Sequence, residues 1–382
     1  QDVDIFGPVI AGGTIEPSGV NWAGANSNNA TVSIIAGEQI YLDSAILAAT
    51  SASLTAGTAG ADDNNLSIVV TPLGGMNAVG LASDGSGGLV SLIGASGLEM
   101  MGRLVSGGSL ERVGADDIVN WGAALGLIHV EAGLQAFIGG NTLNQSGDPI
   151  VVGGILEAAS RIEIVGGTSS DGVGVLIHGS SELVTHNTGS HIDIQAAGHA
   201  DINGLLVAGG EITGDPLDRQ VNFFDINSSV SIEAEHQIKL GRSLSAGSQI
   251  DLIGGSDPDT GEGIVLLGSV QLSTSRPNSE INLNAPGQIK ILAASDGSSY
   301  AISAPGVDST VNLGSATETN DLIYVAGKVL AHSAINLYGT DSALDLDFGG
   351  LLETTVGNII LNPGVATVIK GDLDAGGDVE IH

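Results

Sequence analysis

The sequence predicts an all-β fold, a single-domain right-handed parallel β-helix (β-solenoid) running continuously over residues 1–382. Two observations predict it: a nine-residue phrase that recurs ten times, and a composition that favours strands and turns over helices. In the phrase an aliphatic residue stands first and alanine third. A turn-prone pair follows at four and five, with apolar residues at seven and nine. It reads IIAGEQIYL from Ile34, ILAATSASL from Ile46, VEAGLQAFI from Val130, LEAASRIEI from Leu156 and IQAAGHADI from Ile194. It returns as IEAEHQIKL from Ile232, LSAGSQIDL from Leu244, LNAPGQIKI from Leu283, VLAHSAINL from Val329 and LDAGGDVEI from Leu373.

Period-two alternation marks strands, so positions one, three, seven and nine point to one side. Alanine at three suits an interior that narrows toward a bend, and the small residues at four and five supply the bend. The phrase therefore reads as two short strands meeting at a corner. It places Ile34, Ala36, Ile232, Ala234, Leu240, Leu283 and Ile291 inside and exposes Lys239 and Lys290. Glutamine fills the sixth position in five copies, which predicts amides stacked from coil to coil. Glycine occupies 59 positions, and each would cost a helix about 1 kcal/mol relative to alanine, so close to no helix is expected.

Copies starting at 156, 194 and 232 are 38 residues apart, which reads as two coils of 19 to 20 residues each. On that reading the chain winds about 17 to 20 coils. Residues 55–129 contain no good copy and are expected to form irregular coils or a lateral insertion. Loops rich in Pro, Asp, Ser and Thr near 214–220, 254–263, 274–279 and 317–320 are expected to protrude.

Ten Lys and Arg against 43 Asp and Glu leave a formal charge of −33, which argues against nucleic acid as a partner. The absence of cysteine excludes disulfides and thiolate metal sites. Every apolar run breaks well short of the ~18 residues a membrane-spanning helix needs, so no membrane insertion is expected. The chain opens at Gln1 without a basic or apolar leader, which reads as an excerpt from which a secretion signal has been removed.

The phrases VIAGGTI (Val9 to Ile15), LVAGGEI (Leu206 to Ile212) and the copy from Leu244 to Leu252 resemble the repeat region of filamentous-haemagglutinin-type bacterial exoproteins and adhesins. That resemblance implies a right-handed parallel β-helix at the cell surface or secreted, exported through an outer-membrane partner. It also implies a non-enzymatic, structural or adhesive role toward a host or matrix glycan or protein. Strand-like alternation at Val3, Ile5, Val379 and Ile381 supports an alternative, an extracellular filament or sheath subunit. Its open ends would pair with other copies of itself or with flanking repeats.

Right-handed β-helices also include polysaccharide-cleaving enzymes, whose chemistry needs two carboxylates facing one bond. The adjacent pairs Asp62 with Asp63 and Asp116 with Asp117 point to opposite faces of a strand and read as solvated acids. An anionic uronate would be repelled by the field of the chain, so no enzyme is expected. His178, His186, His191 and His199 have spacings that match no compact ligand set and read as surface residues. The one metal candidate is GGSDPDTGEG, where Asp257, Asp259 and Glu262 surround Gly261 in an oxygen-rich turn suited to calcium. An ordinary Asp-Pro turn accounts for the same residues. Asp345, Asp347, Asp372, Asp374, Asp378 and Glu380 alternate with apolar residues and are expected on the outer face of strands.

Overall fold

A computed structural model describes residues 1–11, 14–15, 22–23, 30–57, 65–71, 79–83, 87–113, 116–121, 125–143, 149–213, 220–223, 227–293, 299–315, 322–339 and 343–382. Among these residues every regular element is a strand. The chain divides into two compact units, Gln1–Asp193 and Ile194–His382. In each, the coiled strands sort into three parallel sheets, a β-solenoid arrangement. Asp62, Asp63, residues 214–219 and the predicted loop at 317–320 lie outside the described residues, as do the side chains of Asp116 and Asp117.

One coil of the first unit shows the winding. Thr31–Ala36 turns a corner into Ile40–Leu42, Ile46–Ala48 follows on a second side, and Ser51–Ala56 comes back to pair in parallel with Thr31–Ala36. The sheet holding Ile40–Leu42 is called the first here, that holding Ile46–Ala48 the second, and that holding Thr31–Ala36 the third. The ten phrases occupy two of the three corners. Copies from Ile34, Val130, Ile194, Ile232 and Leu283 turn from the third sheet into the first. Those from Ile46, Leu156, Leu244, Val329 and Leu373 turn from the second into the third.

This corrects the expected coil length. Leu156 and Ile194 sit in different sheets, so their 38-residue spacing does not join equivalent positions. Register shows coils of unequal length: Ile34 faces Leu54 and Leu361 faces Ile381, each 20 residues on, while Leu54 faces Leu92 and Leu92 faces Val130, each 38 on. The stretch from Leu92 to Val130 is long because Gly108–Val113 and Asp116–Trp121 leave the coil as a hairpin.

The interior is a set of stacked columns, each made by one inward position repeated from coil to coil. In the second unit Ile232, Leu252, Leu283, Leu313, Leu337 and Leu361 face one another in register, all at 2% exposure or less. Each buried side chain of this size contributes roughly 2 kcal/mol. At the corner of the first unit the column is Ala36, Ala56, Gly94, Ala132 and Gly166. At Gly166 even a Cβ is excluded, since it would fall 2.0 Å from the Gly174 carbonyl oxygen. The alanines at the third phrase position, Ala36 and Ala132, are buried at this bend.

Ala36, Ile232, Ala234, Leu240, Leu283 and Ile291 are buried as the phrase requires. Ile34 is only half-buried, because its strand pairs in its sheet with Ser51–Ala56 alone. Lys239 and Lys290 point outward but are half-buried, not exposed, because outward side chains lie against those of neighbouring coils. Lys290 is held there by Glu262.

Corners between the second and third sheets close over hydroxyls. Thr185 and Ser190 are joined at 2.8 Å, Thr274 and Ser279 at 2.9 Å, and Ser309 donates to the Ala304 carbonyl. In each the residue just before the serine is left-handed: Gly189 at φ 67, Asn278 at φ 56 and Asp308 at φ 59. Glycine, asparagine and aspartate are the residues that tolerate this conformation best.

Candidate functional site

The predicted calcium turn is a self-contained loop. The Asp257 carboxylate accepts backbone N–H groups of Asp259 and Thr260 at 2.8 Å each, while Gly261 N–H donates to the Asp257 carbonyl at 2.8 Å. Burial pushes the Asp257 carboxyl pKa up, but the N–H donors of Thr260 and Asp259, the Thr260 hydroxyl and nearby His199 outweigh it and hold it below the usual range. Glu262 is bonded instead to Lys290 and to the Gln237 amide at 2.7 Å, and Asp259 is exposed. Among the described residues no group of three or more His, Asp or Glu side chains is placed to hold a metal ion.

Two histidines adjoin this turn. His199 Nδ1 accepts the Gln237 N–H at 3.3 Å, which leaves its Nε2 facing Asp257 at 3.6 Å, and its ring lies 5.2 Å from that of His236. The pattern is a polar patch on a coil corner. A shallow cleft of about 400 Å³ elsewhere in the second unit is lined by Asn227, Ser248, Gln249, Pro277, Asn278 and Glu280. It holds one carboxylate, whereas glycoside hydrolysis uses two.

Outward polar side chains mostly bond to the coil beside them. Asn282 donates to Asp251 at 2.8 Å, Asn312 to Asn282 at 2.7 Å and Asn336 to Asn312 at 2.8 Å, all register-paired positions of the third sheet. Every amide passes its donor toward the same end, and a carboxylate terminates the chain of bonds. The predicted glutamine stack is replaced by this asparagine ladder. Three of the five glutamines at the sixth phrase position bond elsewhere: Gln39 to the Leu66 carbonyl, Gln237 to Glu262 and Gln249 to Asp251. Their longer side chains lie at a bend and reach sideways, while asparagines at mid-strand face one another across the ladder. Asn312→Ala should cost about 1–2 kcal/mol, since it orphans one acceptor and one donor in a half-buried row. A urea midpoint unchanged from the parent would contradict this.

The same habit recurs elsewhere. His129 bonds Glu163 at 3.0 Å, Arg161 bonds Asp193 at 2.9 Å, Tyr324 donates to Asp347 at 2.7 Å, and Lys370 bridges Asp345 and Asp347 at 3.4 Å each. Tyr300 donates to Glu353, and that bond with burial and the charges of Glu353 and Asp374 pushes its hydroxyl pKa up to about 12.

Antiparallel hairpins leave the coils sideways. Gly108–Val113 with Asp116–Trp121, and Thr14–Ile15 with Trp22–Ala23, join into one four-stranded sheet of the first unit. Gly140–Leu143 pairs with Pro149–Val152, and Gly210–Thr213 with Gln220–Phe223. Each of the three longer hairpins starts at a Gly-Gly pair whose first member is left-handed: Gly107 at φ 82, Gly139 at φ 110 and Gly209 at φ 71. The second member has no room for a side chain, since a Cβ on Gly108, Gly140 or Gly210 would meet another group at 2.8 Å or less. The phrases VIAGGTI and LVAGGEI carry the same pair. The Gly-Gly signal was in the sequence, but of the ten nine-residue phrases only LDAGGDVEI carries it.

The four-stranded sheet covers part of the outer face of the second sheet. Outward positions Ile10, Leu47, Ala82 and Val105 face one another in register, and Val119 and Trp121 pack against Leu47, Ala82 and Val105. The row continues to Glu157, which is ion-paired with Arg103. His186, expected at the surface, is one-tenth exposed, and its ring stacks on Trp121 with centroids 4.0 Å apart. Its Nε2 is buried without a hydrogen-bond partner, 4.0 Å from Glu157. Burial and the Arg103 cation pull its pKa down to about 4.

No protein-family model, curated protein or solved structure matches the chain.

Proposed function

We propose that the chain is a non-enzymatic structural or adhesive segment of an extracellular protein, secreted or held at the cell surface. The observation that carries this reading is the direction of the side-chain bonds. Outward amides, carboxylates, imidazoles and guanidinium groups bond mainly to register-paired neighbours on adjacent coils, as in the Asp251, Asn282, Asn312 and Asn336 ladder. Polar groups used this way reinforce the winding. They are not converged on a reacting bond, which a catalytic centre requires.

The winding is right-handed in this reading, following the strong preference of parallel crossovers. Adhesion falls to the lateral hairpins and corner loops, which stand off the repetitive faces and present a glycan or protein of a host or matrix with a non-periodic surface. The strongly acidic field favours neutral or cationic ligands over uronates.

The test is to immobilise the full chain and screen neutral and acidic glycans and matrix proteins for binding, while assaying the same polysaccharides for new reducing or unsaturated ends. Saturable binding without depolymerisation is the expected result. Depolymerisation that tracks the purified chain would overturn the reading.

A further inference from the structure

We propose that the four-stranded lateral sheet of the first unit is an acid-released arm: protonation of His186 undocks Trp121 and Val119 from the coil and uncovers the apolar row Ile10, Leu47, Ala82 and Val105. The arm is tethered by both of its hairpins: one leaves the coil at the left-handed Gly107, with Trp121 paired to Gly108 at its base, and the other follows the coil strand Val9–Ala11. Docking rests on the contact of Val119 and Trp121 with the row and on the Trp121–His186 stack.

The imidazole is poorly prepared to carry charge. It is one-tenth exposed and its Nε2 has no hydrogen-bond partner. Of the charged groups around it, Arg103 on Gly102–Ser106 repels a cation, and Glu157 on Gly154–Ala158 turns Oε1 toward the ring at 4.0 Å, beyond hydrogen-bond distance, while Arg103 binds its Oε2. Glu182 stands at the far end of the strand Glu182–Thr185 that precedes His186. On the arm, Glu111, Arg112, Asp116 and Asp117 belong to the tip end of the hairpin, where Arg112 pairs with Asp117 and Val113 with Asp116. Glu157 carries a charge that Arg103 already offsets, and at 4.0 Å it does not hydrogen-bond the ring.

The direction follows from linkage. Above pH 6.5 the imidazole is neutral whether the arm is docked or released, and pH has no leverage. Between 6.5 and about 4 the released form takes up the proton and the docked form does not, so docking weakens as pH falls. Below about 4 both forms are protonated and the effect is complete. The docking equilibrium should shift toward release by roughly two orders of magnitude over this window.

Trp22 and Trp121 both belong to the arm, so Trp22→Phe leaves Trp121 as the single reporter. In that background, Trp121 emission should move to the red and become open to iodide as pH falls from 6.5 to 4, while the strand signal in circular dichroism holds. His186→Phe keeps a ring under Trp121 and should abolish the transition. His186→Gln, which cannot titrate, should abolish it too and serves if the phenylalanine variant does not fold. An unmoved Trp121 down to pH 4 overturns the proposal. So does the same transition in a folded His186 variant, which would assign the effect to general protonation of carboxylates.

Discussion

Ile232→Asp should unfold the second unit or lower its stability by about 4 kcal/mol or more. Ile232 is fully buried and faces Leu252 in the column of leucines that follows. A carboxylate there loses its water and finds no cation, and removing a buried partner-free charge from solvent is among the costliest single changes known. Because each coil contacts only its neighbours, the loss falls on the coil of Ile232 and its interfaces with the two adjoining coils. Ser231→Asp, one residue away on the outer face, faces Asp251 in register and should cost no more than about 1 kcal/mol of like-charge repulsion. The pair separates burial from a general dislike of added acid in this acidic chain. Equal urea midpoints for the two variants would mean that the inward and outward positions are reversed.

Gly107→Val should cost about 3 kcal/mol and loosen the lateral sheet. The residue is left-handed at φ 82, which a β-branched side chain resists. Its new Cβ would also lie 2.7 Å from the Ala159 Cβ and 2.9 Å from the Leu125 carbonyl oxygen. Gly87 provides the control: its φ is 78, but a Cβ there meets nothing within 4 Å. Gly87→Ala should therefore cost only the conformational part, about 1 kcal/mol. Thermal melting with tryptophan emission recorded alongside checks both parts. A Gly107→Val protein that melts with its parent and keeps a buried Trp121 would show that the branch point does not depend on glycine.

The nine-residue phrase made the parallel strands and the buried columns legible, because a period of two and a small residue at a bend follow from strand geometry alone. Coil length was not legible from it. Two corners share the same phrase, so Leu156 and Ile194 look equivalent in sequence while lying in different sheets. The coil from Leu92 to Val130 hides its extra residues in a hairpin that carries its own alternation. His186 illustrates the limit for the candidate site. Nothing within its own coil marks it as buried, since the residue that covers it, Trp121, arrives from a hairpin 65 positions earlier. The Asp257 turn was legible as a turn, because Asp-Pro and glycine spacing are local signals, whereas the commitment of Glu262 to Lys290 depends on the next coil.

The Gly-Gly branch points separate two kinds of inheritance within one chain. At Gly107 the coil is resumed on the far side of the hairpin by its own bonds: Gly107 N–H reaches the Ser83 carbonyl, the Ser106 hydroxyl reaches the Gly88 carbonyl, and Gly87 N–H reaches the Leu125 carbonyl. None of these passes through the hairpin. An excursion can therefore lengthen, shorten or change its text without disturbing the winding beneath it, and doubling a flexible insertion costs only about 0.6 kcal/mol in closure entropy. Sequence change can be confined to such excursions while the columns stay under packing constraint. The same property makes the tip between Val113 and Asp116 a natural place to graft a foreign peptide for display.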